Sequence, residues 1–159
     1  MVMLTLYKSI VRSHIEYCCP LWHRTKICDI EAIENIQRSF THRIRVVSSS
    51  DYWTRLRRLN LMSLQRRRER YIILQMWKIL NNVSPNDINI KFRPTGRLGV
   101  QAVVPSLVST SSAANQSIYD RSFAVFGPWL WNVIPREIAV FSSAVQFKSS
   151  LTGWMYGSF

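Results

Sequence analysis

The chain has 159 residues, 47% of them hydrophobic and 12% aromatic, which is enough apolar material for a core and excludes the disordered class. Its 21 basic residues outnumber nine acidic ones, and the resulting net charge of +12 indicates a polyanionic partner, nucleic acid ahead of an acidic membrane surface. Three cysteines do not make a disulfide framework, and no signal peptide or membrane span is evident, so we expect an intracellular protein, nuclear or cytoplasmic.

Amphipathic patterns in the first half of the chain predict four helices. They cover residues 2–18, residues 29–47, a short segment ending at Leu59, and about Leu64 to Leu80. Asp51 or Ser50 is expected to cap the third helix, and Ser63 the fourth. Glu34 and Arg38 are spaced for an i,i+4 ion pair on the second helix.

The second half of the chain has a less regular pattern. Residues 83–117 contain scattered prolines and glycines and a Ser109–Ser112 run, which predicts a linker, with a short strand near Gly99–Val104 left open. The remaining residues form an aromatic-rich tail with one or two short helices, one beginning at Pro135 and another capped by Ser143.

Together these patterns predict a mainly α fold with, at most, minor β structure. Residues 1–82 form a small helical bundle, residues 83–117 an irregular linker, and residues 118–159 a short aromatic-rich helical tail. The aromatic residues of the tail are most simply interpreted as side chains that pack together in a core.

Two series of residues, one towards each end of the chain, carry a family resemblance. The first is Leu6-Tyr7-Lys8-Ser9-Ile10-Val11-Arg12-Ser13-His14-Ile15-Glu16-Tyr17-Cys18, then Trp22, then Asp29-Ile30-Glu31-Ala32-Ile33-Glu34-Asn35-Ile36-Gln37-Arg38. The second is Asp120-Arg121-Ser122-Phe123, Trp129-Leu130-Trp131-Asn132, Pro135 and Phe147-Lys148-Ser149-Ser150-Leu151.

In that order and at those spacings, the two series resemble the region downstream of the polymerase palm in LINE-type (non-LTR) retrotransposon reverse transcriptases of the jockey-like and related lineages. The resemblance spans most of residues 4–151. It implies that the helical bundle is thumb-like and that the chain is a fragment of an RNA-directed DNA polymerase without its palm.

The acidic residues do not form a polymerase site. Enzymes of that family hold two divalent ions on palm carboxylates, and phosphoryl transfer without the ions loses most of its charge stabilisation. No two of the nine acidic residues are adjacent, and the nearest to a cluster, Asp29, Glu31 and Glu34, open a predicted helix. We therefore predict that this chain alone is not an enzyme, with no catalytic residue and no cofactor.

Cysteine and histidine residues near the N-terminus suggest zinc only weakly. His23 and Cys28 have the spacing that ends a zinc knuckle, but the opening C-x-x-C pair is absent, because Cys18 and Cys19 are adjacent. His14 lies on the apolar face of the first helix, where a buried core histidine is the usual outcome. No metal site is predicted.

Arginines between residues 38 and 70 are the main functional signal. That stretch contains ten arginines and only two acidic residues. Arg66, Arg67 and Arg68 lie in the first turns of a predicted helix, where positive charges interact unfavourably with the helix dipole. Helix N–H groups and guanidinium groups together make a good anion site. The predicted nucleic-acid-binding residues are Arg55, Arg57, Arg58, Arg66, Arg67, Arg68 and Arg70. The alternatives are a plainly solvated basic surface and an acidic protein or lipid partner.

Aromatic residues beside the arginines divide into two groups. Tyr52 and Trp53 are candidates for stacking on bases, although packing is the commoner outcome, and Tyr71 and Trp77 are expected in the core.

Two other functions compete with nucleic-acid binding. The chain is alternatively the inactive remnant of a degenerate element, with exposed apolar helix faces and a loose fold. It is alternatively a protein-interaction module that binds a partner, or a second copy of itself, through the apolar face of residues 2–18. That face consists of Met3, Leu6, Tyr7, Ile10, Val11, His14, Tyr17 and Cys18.

Overall fold

The computed structural model describes residues 2–20, 27–95, 99–104, 122–140 and 142–157. Within these ranges the chain is mainly helical, with seven helices and one two-stranded antiparallel sheet, which confirms the predicted fold class. Several predicted features lie outside the described residues: His23, Pro105, the Ser109–Ser112 run and the start of the tail at Ile118.

The first helix, α1, consists of three consecutive segments: Val2–Leu6, a π-helical turn at Tyr7–Val11, and Arg12–Glu16. The other helices of the bundle are α2 (Ile27–His42), α3 (Tyr52–Arg58) and α4 (Leu64–Leu80). The remaining elements are β1 (Phe92–Thr95), β2 (Gly99–Ala102), α5 (Phe123–Val133), α6 (Arg136–Ala139) and α7 (Ala144–Gly157). No described helix combines the length and apolar character needed to cross a bilayer.

The described residues divide into two compact units. The N-terminal unit contains those of residues 1–19 and 24–68, and the C-terminal unit those of residues 20–23 and 69–159. The division falls within α4 and so differs from the predicted segments 1–82, 83–117 and 118–159, which stay a prediction about domain organisation.

Helix ends in the bundle follow the expected capping chemistry. The Asp51 carboxylate accepts hydrogen bonds from the backbone N–H groups of Trp53 and Thr54, both at 3.1 Å, and Ser63 Oγ accepts one from Arg66 N at 3.2 Å. Asn60 follows α3 in the left-handed conformation (φ 49°) that asparagine tolerates, and the chain then closes the helix with a hydrogen bond from Leu61 N to Leu56 O. The predicted caps of α3 and α4 are confirmed.

The second helix is shorter than its apolar stripe predicts. It ends at His42, and residues 43–50 form turns, in which Arg43 N and Ile44 N bond to carbonyls only three residues back. The segment contains the β-branched residues Ile44, Val46 and Val47, whose restricted side chains disfavour a helix. The turn buries Val47 and leaves Val46 exposed.

A buried polar network organises the N-terminal unit. The Tyr7 hydroxyl donates to Gln37 Oε1 at 3.0 Å, while Gln37 Nε2 donates to the Tyr52 hydroxyl at 3.2 Å and to Met62 O at 2.9 Å. The Tyr52 hydroxyl in turn donates to the Glu34 carboxylate. These hydrogen bonds join α1, α2, α3 and the segment before α4, so the network positions every helix of the unit.

The C-terminal unit has an aromatic core. Phe147 is fully buried, with its ring centroid 5.5 Å from that of Trp77 and 6.0 Å from that of Trp131. Trp131 Nε1 donates to Val100 O at 3.1 Å, so the same residue holds the core and strand β2. Phe123, Trp131 and Phe147 are therefore buried, as the sequence predicts, whereas Trp129 is 53% exposed.

The sheet and the tail helices refine two predictions. Strand β2 lies within Gly99–Val104, where the sequence leaves a strand open, whereas the sequence predicts no strand at β1. The two strands are antiparallel, and Phe92 pairs with Ala102 and Thr95 with Gly99. The tail contains three described helices instead of one or two, and Pro135 directly precedes α6.

Candidate nucleic-acid interface

The N-terminus of α4, predicted as an anion site, already holds a carboxylate of the chain itself. Glu34 is buried, and its two carboxylate oxygens accept hydrogen bonds from Leu64 N and Gln65 N, both at 3.2 Å. A negative charge at this end suits the helix dipole. The backbone N–H groups that were expected to hold a phosphate are therefore occupied.

The same position of Glu34 overturns the predicted Glu34–Arg38 ion pair. Arg38 instead donates to Asn35 Oδ1 at 2.7 Å, and its guanidinium carbon lies 5.0 Å from the centroid of the Tyr52 ring. Sequence spacing indicates only which residues share a helix face, and here a neighbouring helix end competes for the carboxylate.

Two of the three consecutive arginines of α4 are engaged within the fold. Arg67 forms a bidentate ion pair with Glu16 of α1, in which Arg67 Nη2 lies 2.9 Å from Glu16 Oε2. Arg68 is fully buried, and its Nε donates to Leu64 O at 3.4 Å. The remaining arginine, Arg66, is half-buried.

Arg55 and Arg70 are also held by other residues. Arg55 is buried, and it donates from Nε to Thr41 Oγ1 at 3.2 Å and from Nη1 to Ser50 O at 2.6 Å. Arg70 is half-buried and donates to Thr152 Oγ1 at 3.1 Å. Buried guanidinium groups do not reach a phosphate unless the fold opens locally, so Arg55 and Arg68 are not accessible to nucleic acid.

The exposed members of the predicted set are Arg57 and Arg58, at the end of α3. Arg58 lines an open groove of about 780 Å³ in the N-terminal unit, which we call the arginine groove. Its other lining residues are Val2, Met3, Leu4, Arg43, Ile44, Arg45, Val46, Val47, Leu59 and Asn60. Three exposed arginines from two separate segments therefore surround one depression.

Arg43 and Arg45 belong to the basic stretch but not to the predicted set of site residues. The sequence pattern assigns both residues to the end of the second predicted helix and gives no sign of a site. They reach the groove because the helix ends at His42 and the chain continues in turns.

The arginine groove has strongly positive electrostatics. Its lining contains three arginines and no acidic residue, and among the described carboxylates none pairs with Arg43, Arg45, Arg57 or Arg58. Guanidinium groups that carry their charge into solvent attract phosphates and carboxylates and bind them through paired hydrogen bonds.

Stacking on bases finds only partial support in the positions of the aromatic residues. Tyr52 is buried and its hydroxyl is hydrogen-bonded, so its predicted availability for stacking is wrong; burial raises its pKa, and the hydrogen bond to Glu34 acts in the same direction. Trp53 is 50% exposed and stays a candidate. Trp77 is buried, as predicted.

The cysteine and histidine residues near the N-terminus are dispersed. His14 is exposed, so its predicted place in the core is wrong. Cys18 and Cys28 are exposed, whereas Cys19 is buried, and that burial raises the pKa of its thiol to about 11. Within the described ranges no three potential ligands gather to hold a metal ion.

The apolar face of residues 2–18 is largely open. Tyr7 is buried, with its ring stacked on Phe40 at a centroid distance of 4.1 Å. Leu6 and Ile10, however, are more than half exposed, at 51% and 57%. The face therefore keeps apolar surface available to a partner.

Comparison with known proteins identifies no relative: no family model matches the chain, and neither the curated proteins nor the solved structures contain a match.

Proposed function

We propose that the chain is a non-catalytic segment related to LINE-type reverse transcriptases, and that it binds RNA, DNA or their hybrid through Arg43, Arg45, Arg57 and Arg58. The observation that carries this proposal is the set of four exposed guanidinium groups in one unit, none of which forms an ion pair with a carboxylate in the described part of the chain. We expect the protein to act in the nucleus or the cytoplasm, where such partners occur.

The physics of the contact is electrostatic. Each phosphate that an arginine neutralises releases condensed counterions, so affinity falls as salt rises and depends little on base sequence. Thumb-like elements of polymerases grip the template–primer backbone in this manner, and the family resemblance supports the proposal in that respect.

Two carboxylates of the N-terminal unit have structural roles. Glu16 forms the ion pair with Arg67, and Glu34 caps α4, so both contribute to the fold of that unit.

The test is fluorescence anisotropy of a labelled RNA–DNA hybrid at several salt concentrations. We expect the logarithm of affinity to fall against the logarithm of salt concentration with a slope of about −4, and the Arg43/Arg45/Arg57/Arg58→Ala variant to lose most of that slope.

A matched variant separates a defined surface from general charge. Lys91, Arg93, Arg136 and Lys148 are exposed residues of the C-terminal unit, and their replacement by alanine removes the same charge. We expect that variant to retain most of the salt slope. Equal losses in both variants would contradict the proposed surface, and no binding by the wild-type chain at moderate salt would favour the inactive remnant.

A further inference from the structure

We propose that the arginine groove is the docking site for an acidic amphipathic helix of a partner protein. This inference concerns a second class of ligand and goes beyond nucleic-acid binding. It depends on the floor of the groove, which the contact with phosphates does not use.

The floor of the groove is aliphatic. By floor we mean the aliphatic lining residues Val2, Met3, Leu4, Ile44, Val46, Val47 and Leu59, and no aromatic residue occurs among the described residues that line the groove. Bases bind proteins by stacking on aromatic rings, so this floor offers nucleic acid little. Leucine and methionine side chains of a helix, spaced three and four residues apart, are the usual occupants of such grooves.

Three residues of the floor are largely exposed within the described part of the chain. Val46 is 86% exposed, Val2 73% and Met3 55%. Leu4 and Leu59, in contrast, pack against the cluster of Tyr52, Leu56 and Leu61, so the base of the groove is anchored to the core. A volume of about 780 Å³ lies within the range of sites that hold side-chain clusters or small ligands.

The charge of the rim selects among occupants. Arg43, Arg45 and Arg58 line the same groove as the aliphatic residues, and a second copy of this chain would bring the same three positive charges to the interface. A fatty acid carries one carboxylate and leaves two arginines without an anionic partner. A helix with an apolar stripe flanked by glutamates supplies both the apolar contacts and several carboxylates.

The probe for this proposal is a fluorescein-labelled helical peptide of about 18 residues, with leucines on one face and glutamates beside them. A peptide of the same composition with a scrambled apolar stripe is the ligand control. Binding to the full chain is measured by anisotropy at moderate salt. We expect the amphipathic peptide to bind at least tenfold more tightly than the scrambled one.

Two variants test the floor and the rim separately. Val46→Asn replaces a side chain that is 86% exposed, so it should not disturb folding, and we expect it to weaken peptide binding about tenfold. Val145→Asn, at a position 78% exposed in the C-terminal unit, is the matched control and should have no effect. Arg45→Glu should weaken peptide binding more at low salt than at high salt, because salt screens the repulsion between the introduced carboxylate and the glutamates of the peptide.

Failure of this proposal can be distinguished from failure of nucleic-acid binding. Arg57 does not line the groove, so Arg57→Ala should reduce the salt slope for nucleic acid and leave peptide binding unchanged. Val46→Asn should weaken peptide binding and leave the salt slope for nucleic acid unchanged. Equal affinity for both peptides would overturn the docking site. So would palmitate binding without peptide binding, or a dimer of the chain that Val46→Asn dissociates.

Discussion

The two units of this chain reach an ordered interior by different means. The N-terminal unit centres on hydrogen bonds among Tyr7, Glu34, Gln37 and Tyr52, while the C-terminal unit centres on stacked and tilted aromatic rings around Phe147. The interior of the N-terminal unit therefore depends on which polar atoms are present, and that of the C-terminal unit on the volume of its buried side chains. A substitution of similar size should therefore be costly in the first and tolerated in the second.

Removing volume from the aromatic core should have the largest effect. Phe147 is fully buried between Trp77 and Trp131, so Phe147→Ala leaves a cavity and should lower the free energy of unfolding by about 4 kcal/mol. Phe147→Leu keeps most of the volume and should cost about 1.5 kcal/mol. Urea denaturation measures both. Similar losses for the two variants would break the idea that volume governs this unit.

Replacing a polar residue by an apolar one of similar size tests the N-terminal unit. Gln37→Leu deprives the Tyr7 hydroxyl of its acceptor and Met62 O of its donor, so we expect a loss of about 3 kcal/mol in the same assay. Asn35→Leu, on the exposed side of the same helix, should change stability by no more than about 0.5 kcal/mol. A small effect of Gln37→Leu would show that the network is dispensable.

The buried thiol of Cys19 provides a pH test of the N-terminal unit. Burial raises the pKa of this thiol to about 11, above its ordinary value, so the folded state holds the thiol proton more tightly than the unfolded state. The associated stability is present in full below the ordinary pKa of a thiol and is lost as pH rises towards 11.

We expect Cys19→Ala to remove this part of the alkaline loss, measured by urea denaturation between pH 7 and pH 11, relative to the wild-type chain. The exposed neighbour offers a control, since Cys18→Ala should retain it. An unchanged profile in Cys19→Ala would argue against a buried thiol.

The smallest effect on stability should come from Asn132, whose side chain forms two hydrogen bonds with the backbone of strand β2. The Asn132 side chain accepts from Ala102 N at 3.0 Å and donates to Ala102 O at 2.9 Å, in the manner of a neighbouring strand. Asn132→Ala should lower stability by about 1 kcal/mol and speed hydrogen exchange at Ala102. Gln101→Ala, at an exposed position of the same strand, should do neither.

Much of the local structure was predictable because its causes lie within a few residues. Asp51 and Ser63 begin helices where their side chains accept nearby N–H groups, and α4 follows its apolar pattern from Leu64 to Leu80. Burial of Phe123, Trp131 and Phe147 was predictable for another reason, since large apolar rings leave water wherever a core exists.

The candidate site was less predictable because charge counts carry no information on depth. Arg57 and Arg68 look equivalent in the sequence, yet one is exposed and the other is fully buried. Glu34 was assigned to its own helix face, whereas it caps a helix 30 residues further along the chain. Long-range partners of this kind depend on how helices meet, which no single-helix pattern encodes.

The helical class, the positions of the caps and the excess of positive charge follow from local propensity and composition, so they can be read from the sequence. Which arginines face solvent, and which are held by Glu16, Thr41 or Thr152, depends on how the helices pack. The same packing places Arg43, Arg45 and Arg58 in one groove with aliphatic residues. The physical reason is that burial and electrostatic pairing depend on the distances between elements, and those distances are set when the helices pack.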